Sequence, residues 1–343
     1  GGAANNPYLH FTQEHGFTFS TIGGPTNPII GGPIPGQPLS QDIHRPVDYA
    51  YRISTRETTV AQYFEFVHAV APHAQTLGIN GQSMAGLSLV YLGSSSGVPR
   101  YQVQPGTENH PAMAQFQYFA MMANWLHHGA PGRDEATVDT FRTGAYDDPR
   151  NQAAHNEGAL FWIPTRDEWN KAVYWDPNKD GQGNGGYWLY PDGGDEPLIP
   201  GRPEDGGETN AGRYSEWPPP KNFPDDDGRP DGVGLYPHVQ TPWGLLDVSG
   251  GAREWTETFT SMIFQDRRYV EGSLSADGFQ EGDSVLFDYI FGFTSQSPVS
   301  LSPYVTARFA ASVPAPGVPA VAMAAALALS RRRRCVYPAN GSS

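Results

Sequence analysis

The chain is short of cysteine, of lysine and of charge, and it has no long hydrophobic run. One cysteine, Cys335, stands among 343 residues. A single thiol forms no internal disulfide and builds no cysteine-rich zinc site. Lysine occurs three times, as Lys171, Lys179 and Lys221. Basic side chains number 22 against 36 acidic ones, a net charge of −14. That balance excludes sequence-independent DNA or RNA binding, which needs a basic face to displace counterions, so no nucleic acid is expected as a partner. The apolar stretch Val318–Leu329 is twelve residues long, and counting from Val313 the uncharged stretch reaches 18. A standard membrane span takes about 20. The first residues, Gly1-Gly-Ala-Ala-Asn-Asn, lack the basic start and apolar run of a signal peptide, so the numbering is expected to begin at or near a mature terminus.

What is present is turn-forming and aromatic. Forty glycines and 32 prolines make up about a fifth of the chain, which argues for many loops rather than a helical bundle. The length suits one large domain or two modest ones. Phe17–Ile22 alternates apolar and polar and reads as a strand, Gly23–Pro38 as a loop, and Tyr49–Ile53 as a second strand. Thr59–Ala71 sets Val60, Tyr63, Phe64, Val67 and Val70 at helical spacing behind a Thr58 or Thr59 cap. Residues 72–109 read as mostly irregular, Ala112–His127 as a second amphipathic helix, and 128–159 as polar loop. Thr165 with Glu168 is a capping box behind Pro164, which predicts a helix over Arg166–Tyr174. Residues 176–232 form a Gly/Pro/Asp-rich stretch too long for an ordinary connection. The last third, Trp243–Phe309, reads as β-rich with irregular connections.

The charge is unevenly placed. Without Arg331, Arg332, Arg333 and Arg334, the rest of the chain carries 18 basic and 36 acidic side chains. An apolar stretch followed by an arginine block has the order of a stop-transfer segment, its positive end held inside. The plainer reading is a short buried helix ending in a solvated basic run. With Val313, Pro314 and Pro316 just upstream, this tail resembles the PEP-CTERM sorting signal of Gram-negative envelope proteins. Ala315 stands where that signal usually has Glu, and nine residues follow the arginines. The resemblance implies export to the cell surface or medium of a Gram-negative bacterium. It also implies recognition by exosortase-type machinery and transient membrane contact through the tail.

Four further segments run Arg52-Ile-Ser-Thr-Arg-Glu-Thr-Thr-Val-Ala-Gln-Tyr-Phe-Glu-Phe66, Ala120-Met-Met-Ala-Asn-Trp-Leu126, Ile163-Pro-Thr-Arg-Asp-Glu-Trp169 and Thr241-Pro-Trp-Gly-Leu-Leu-Asp-Val-Ser-Gly-Gly-Ala-Arg-Glu-Trp255. Weaker matches are Arg268–Leu274 and Thr306–Phe309. In order and spacing they resemble the formylglycine-generating-enzyme (sulfatase-modifying factor) family over residues 17–312. The resemblance implies an α+β, variant C-type-lectin-like fold with little regular secondary structure and long loops. The organisation expected is an N-terminal strand and Gly/Pro-rich segment over 1–44, partly packed on the domain. The family-like domain follows at 45–312, the sorting tail at 313–334 and a short tail at 335–343.

That family's oxidase chemistry uses a thiolate pair near the end of the domain, to bind copper and the substrate thiol. Thiolate suits the role because it is soft and nucleophilic. The span Arg268–Phe309 holds no cysteine, so no catalytic residue is assigned and no copper is expected. Adjacent His127 and His128 would point about 100° apart on a helix, poorly placed to chelate one ion. Surface or helix-end roles are the plainer reading for them and for His110.

Calcium is the candidate cofactor, at two places. Asp176, Asn178 and Asp180 before Gly181 have the alternate oxygens of the first half of an EF-hand loop, but the twelfth position is Tyr187. An Asx-rich turn is the alternative. The family resemblance implies a second set, Asn210, Ala211, Gly250, Ala252 and Glu254. Gly251 replaces the family's Asn there, and a buried structural carboxylate is the alternative for Glu254. Residues 192–231 carry 11 acidic and 4 basic side chains. With Tyr214, Trp217 and Tyr236 nearby they could bind sugar or a cation, or simply form a soluble loop.

The function expected is that of a non-catalytic exported cell-surface protein whose domain binds a ligand, such as a surface glycan, or associates with a neighbouring copy. The alternatives are a structural subunit of an extracellular filament, sheath or layer, and an enzyme of unrecognised mechanism in the family cleft, using His110, His127 and Glu254.

Overall fold

The computed structural model describes residues 9–34, 37–211, 232–260, 267–274, 288–297 and 305–314. Strand β1 (Phe11–Glu14) turns through His15 and Gly16, both at positive φ, into β2 (Phe17–Ile22). The Gly/Pro-rich run that reads as a loop instead contains a hairpin of β3 (Ile30–Ile34) and β4 (Gln37–His44). Its glycines and Pro33 hide the strand signal, because a two-stranded ribbon tolerates residues that a central strand does not. β5 (Tyr51–Ser54) follows, buried along its whole length.

Helix α1 (Val60–Val70) starts at Thr59, whose hydroxyl accepts the Gln62 N–H while the Gln62 side chain accepts the Thr59 N–H. Its buried face is Val60, Tyr63, Phe66, Val67 and Val70, rotated so that Phe66 rather than Phe64 faces inward. Residues 72–109 are more ordered than their composition suggests. They hold the short α2 (Gly81–Ala85) and a hairpin of β6 (Leu89–Ser95) and β7 (Val98–Val103). Helix α3 (Phe116–His127) begins later than the apolar spacing indicates and packs on α1 through Tyr63 against Phe119, 5.5 Å between ring centres. A short α4 (Val138–Arg142) interrupts the following loop.

After β8 (Phe161–Trp162), α5 (Arg166–Tyr174) forms with the capping box its sequence announces. The Thr165 N–H meets Glu168 Oε2 at 2.7 Å and the Glu168 N–H meets Thr165 Oγ1 at 3.1 Å. β9 (Trp175–Asp176) and β10 (Gly186–Tyr187) make a small ribbon. The β-rich last third contributes β11 (Arg253–Phe259), β12 (Arg268–Glu271), β13 (Thr294–Gln296), β14 (Val305–Thr306) and β15 (Ala310–Ala311).

Two sheets organise the molecule. The first has the order β1-β2-β5-β15-β8 and is antiparallel throughout. The N-terminal hairpin is therefore an integral part of the same sheet as β5, and β15 is inserted between β5 and β8, with Ala310 opposite both Ile53 and Trp162. The second has the order β13-β12-β11-β14, with β14 parallel to β11. Trp169, Trp243 and Trp255 are fully buried in the core. Leu198, Tyr236 and Val239 form a separate small cluster. Among the described residues no helix is long and apolar enough to cross a membrane.

Candidate functional site

Three loops meet at the start of β11. The carboxylate of Glu254 accepts Arg308 Nε and Nη2, both at 2.5 Å, and Trp169 Nε1 at 2.7 Å. Arg308 also donates to the carbonyls of Ser54 and Leu246 at 3.0 Å each. Glu254 is thus held by a strut of buried donors. Beside it, Glu57 Oε1 accepts the Ala252 N–H at 3.0 Å, while Glu57 Oε2 is buried without a hydrogen-bond partner among the described residues. Burial, reinforced by the charges of Glu254 and Asp247, pushes the Glu57 carboxyl well above the usual range.

Asn210 Oδ1 accepts the Gly251 N–H at 2.8 Å. Gly250 and Gly251 both sit at positive φ, 73° and 64°. A Cβ on Gly250 would lie 1.9 Å from Asn210 Oδ1. A polar knot continues from here: Ser249 Oγ donates to Asp288 Oδ2 at 2.6 Å, and Ser273 Oγ accepts the Gly250 N–H at 2.8 Å. The family-implied set is therefore brought together, with Asn210, Ala211, Gly250, Ala252 and Glu254 at one junction. Their polar groups are engaged by neighbouring residues: the Ala211 N–H, for one, is taken by Thr209 Oγ1 at 3.0 Å.

Asp176, Asn178 and Asp180 occupy a tight turn. Asp176 Oδ1 accepts the Asn178 N–H at 2.8 Å, Asp176 Oδ2 accepts Trp188 Nε1 at 3.2 Å, and the Asp180 N–H reaches the Asn184 carbonyl at 2.9 Å. Lys179 lies over the Trp188 ring at 4.1 Å and pairs with Asp195 at 3.0 Å. Among the described residues no group of three or more His, Cys, Asp or Glu side chains converges.

Tyr236 is buried and donates to the Gly201 carbonyl at 2.8 Å. Tyr214 and Trp217 lie outside the described residues, as do Pro316 and Arg331 to Arg334; Val313 and Pro314 are inside them. His127 Nδ1 accepts the Leu160 N–H at 3.1 Å and His128 Nε2 lies 2.9 Å from the Thr143 carbonyl. These contacts fix the two rings to separate backbone segments.

Two clusters were not indicated by sequence. Arg166 joins Asp42 (2.6 Å) and Glu271 (2.5 Å) and lies over the edge-to-face pair of Tyr269 and Phe293. His155 stacks on Trp162 at 4.5 Å with its Nδ1 3.0 Å from the buried Glu257, which also accepts the Tyr146 hydroxyl at 2.9 Å. No local pattern marks the charged partners, which lie about a hundred residues apart in the chain.

A cleft of about 750 Å³ opens beside the N-terminus of α1, between the β1–β2 hairpin, residues 54–62 and residues 233–246. Arg56 is exposed at this cleft; Glu57, Asn109 and Gln240 also line it.

No protein-family model matches the sequence, and no curated protein sequence matches it. Solved structures do. Treponema denticola variable protein 1 superposes with a TM-score of 0.51 at 13% identity, over 90% of this chain and 100% of that one. The two share a fold. CarF gives 0.49 at 13% identity (86% of this chain, 98% of that one), and PvdO from Pseudomonas aeruginosa gives 0.46 at 12% (91% and 100%). The fold is mixed α+β, with many short strands and few helices.

Proposed function

We propose that this chain is a non-catalytic, exported cell-surface protein. Its domain belongs to the formylglycine-generating-enzyme-like variant of the C-type-lectin fold and serves as a binding module. One observation carries the reading. The Glu254 carboxylate at the loop junction is fully engaged by Arg308 and Trp169, so it braces the fold instead of facing a substrate. The thiolates that the resembling oxidases need are absent from the domain as well, since the single cysteine is Cys335. The likeness to Treponema denticola variable protein 1 supports the fold side of this reading. The PEP-CTERM-like tail supports export through exosortase-type machinery.

The test has two arms. The purified full chain is incubated with a cysteine-containing sulfatase peptide, copper and oxygen, and the peptide mass is followed. Unchanged peptide is expected; conversion of its cysteine to formylglycine would overturn the non-catalytic reading. In cells, fractionation with surface labelling is expected to find the protein outside, and an exclusively cytoplasmic protein would overturn export.

A second reading, self-association into an extracellular layer or filament, is favoured by one feature. Leu87, Val90 and Leu92, on and just before β6, are 43–49% exposed, with Val90 and Leu92 on one face of the strand. Sedimentation across a concentration series separates the two: a monomer throughout supports the binding module alone.

A further inference from the structure

The cleft beside α1 is rich in acceptors and, among the described residues that line it, has one cation, Arg56. The side-chain amide N–H groups of Gln62, Asn109 and Gln240 are turned to the carbonyls of Gly16, Val233 and Pro237, at 2.8, 3.2 and 2.8 Å. The amide oxygens of Asn109 and Gln240 then receive no hydrogen bond from a described residue. The guanidinium of Arg56 likewise has no hydrogen bond and no ion pair among the described residues.

Arg56 is nonetheless positioned. Gly234, at φ +82°, leaves bare backbone beneath it: a Cβ there would lie 2.9 Å from Arg56 Cζ and 3.0 Å from Nη2. One nearby carboxyl shares its field: the charges of Arg308 and Arg56 pull the Asp247 carboxyl down against its burial. Asp247 is buried, its two oxygens accept the Gly234 N–H at 2.8 Å, and burial pushes its carboxyl up to about 6. Glu57 is held still further toward its neutral form, again chiefly by burial. The positive end of the α1 dipole lies at the same cleft, with Thr59 and Gln62 in its lining. Phe11, 47% exposed, offers a ring whose edge packs where Gly244 has no side chain.

We propose that this cleft binds an acidic sugar, a uronic acid carried in a glycan. Arg56 takes its carboxylate, Asn109 and Gln240 accept from its hydroxyls, and Phe11 covers the apolar C–H face of its ring. A planar guanidinium matches a carboxylate with two parallel hydrogen bonds. Hydroxyls supply the donors that the free amide oxygens lack. A peptide fits less well, because it brings few hydroxyl donors to the amide oxygens of Asn109 and Gln240. The volume suits a ligand of one to a few sugar rings.

This inference rests on the reading of the domain as a binding module, and its test is independent of that reading. Calorimetric titration of the full chain uses three probes: tri-galacturonate, its methyl ester and triglutamate. Binding of tri-galacturonate is expected, with at least tenfold loss for the ester and for the peptide. Arg56→Gln and Phe11→Ala should each lower affinity at least tenfold, with circular dichroism unchanged. Arg100→Gln, on β7 away from the cleft, should bind as the parent does. Equal affinity for acid and ester would overturn the proposal. So would unchanged binding by Arg56→Gln, a preference for the peptide, or no binding of tri-galacturonate at millimolar concentration. Surface labelling and peptide oxidation report separately, so an intact surface location with no sugar binding rejects this cleft assignment alone.

Discussion

Arg308 grips Glu254 with two nitrogens on two separate oxygens, Nε to Oε2 and Nη2 to Oε1, each at 2.5 Å, in a site closed to water. The pair ties the start of β11 to the segment leading into β15, and through Ser54 to the end of β5. Removing one partner strands the other's charge in the core. Arg308→Met is expected to cost about 3–5 kcal/mol, and Glu254→Gln a similar amount, read from urea unfolding midpoints. Loss of less than 1 kcal/mol in both would mean the junction tolerates an unpaired charge, contrary to its burial.

The two glycines of the junction should respond differently to substitution. Gly250→Ala places a methyl group on Asn210 Oδ1 at a backbone angle that L residues avoid, and should destabilise by about 2–4 kcal/mol. Gly251→Asn should be far milder. Asn tolerates the left-handed region, and a Cβ there meets Glu57 Oε1 and Oε2 at 3.2 and 3.1 Å. Its amide would also bring a donor close to the partnerless Glu57 Oε2. Thermal unfolding of the two variants, compared side by side, decides this.

His155 gives a pH-dependent contribution of one sign. Burial lowers its pKa, but the hydrogen bond and charge of Glu257, with the charge of Glu168, more than offset this, so it is raised overall. The folded state then binds the proton more tightly than the unfolded chain. The stabilisation is present below the unfolded value of about 6.5 and fades as pH rises through the folded value. His155→Gln should remove that fall, seen as a flatter stability profile from pH 6 to 8.

His44 gives the opposite sign. Burial first, then the charge of Arg166, lowers its pKa to about 4, against weaker upward pulls from Asp42 and the Ile290 carbonyl. The unfolded chain takes up the proton more readily, so stability falls as pH drops from about 6.5 towards 4, by roughly 3 kcal/mol in all. His44→Phe keeps the stacking on Phe291 and should abolish this part of the acid sensitivity. An unchanged slope between pH 4.5 and 6.5 would count against the assignment.

Elements written in local chemistry were legible before any coordinates. The Thr165–Glu168 box marked the start of α5, and the choice of Thr58 or Thr59 placed the start of α1 to within a residue, because N-capping is settled within four residues. The β3–β4 and β6–β7 hairpins were not legible. Both are two-stranded ribbons, and their sequences lack the steady alternation of a half-buried strand. Asn210, Gly250 and Glu254 were foreseen as neighbours through a family resemblance. Their partners were not, because Glu254 meets Arg308 across 54 positions and Glu57 meets Ala252 across 195. Arg56 carried no local signal: its placement depends on the bare Gly234 beneath it, nearly 180 residues away in the chain.

The insertion of β15 between β5 and β8 bears on how the molecule would carry load. A pull applied at Pro314 reaches a strand held on both flanks, with the Ser312 N–H on the Leu160 carbonyl at 3.0 Å and the Ser312 carbonyl gripped by Arg52 Nε at 2.8 Å. Force entering there is met by hydrogen bonds on two sides of the sheet interior and not peeled off one edge bond at a time. A domain tethered through its C-terminal end would therefore transmit tension into its most buried strands and, through Ser54 on β5, to one wall of the cleft beside α1.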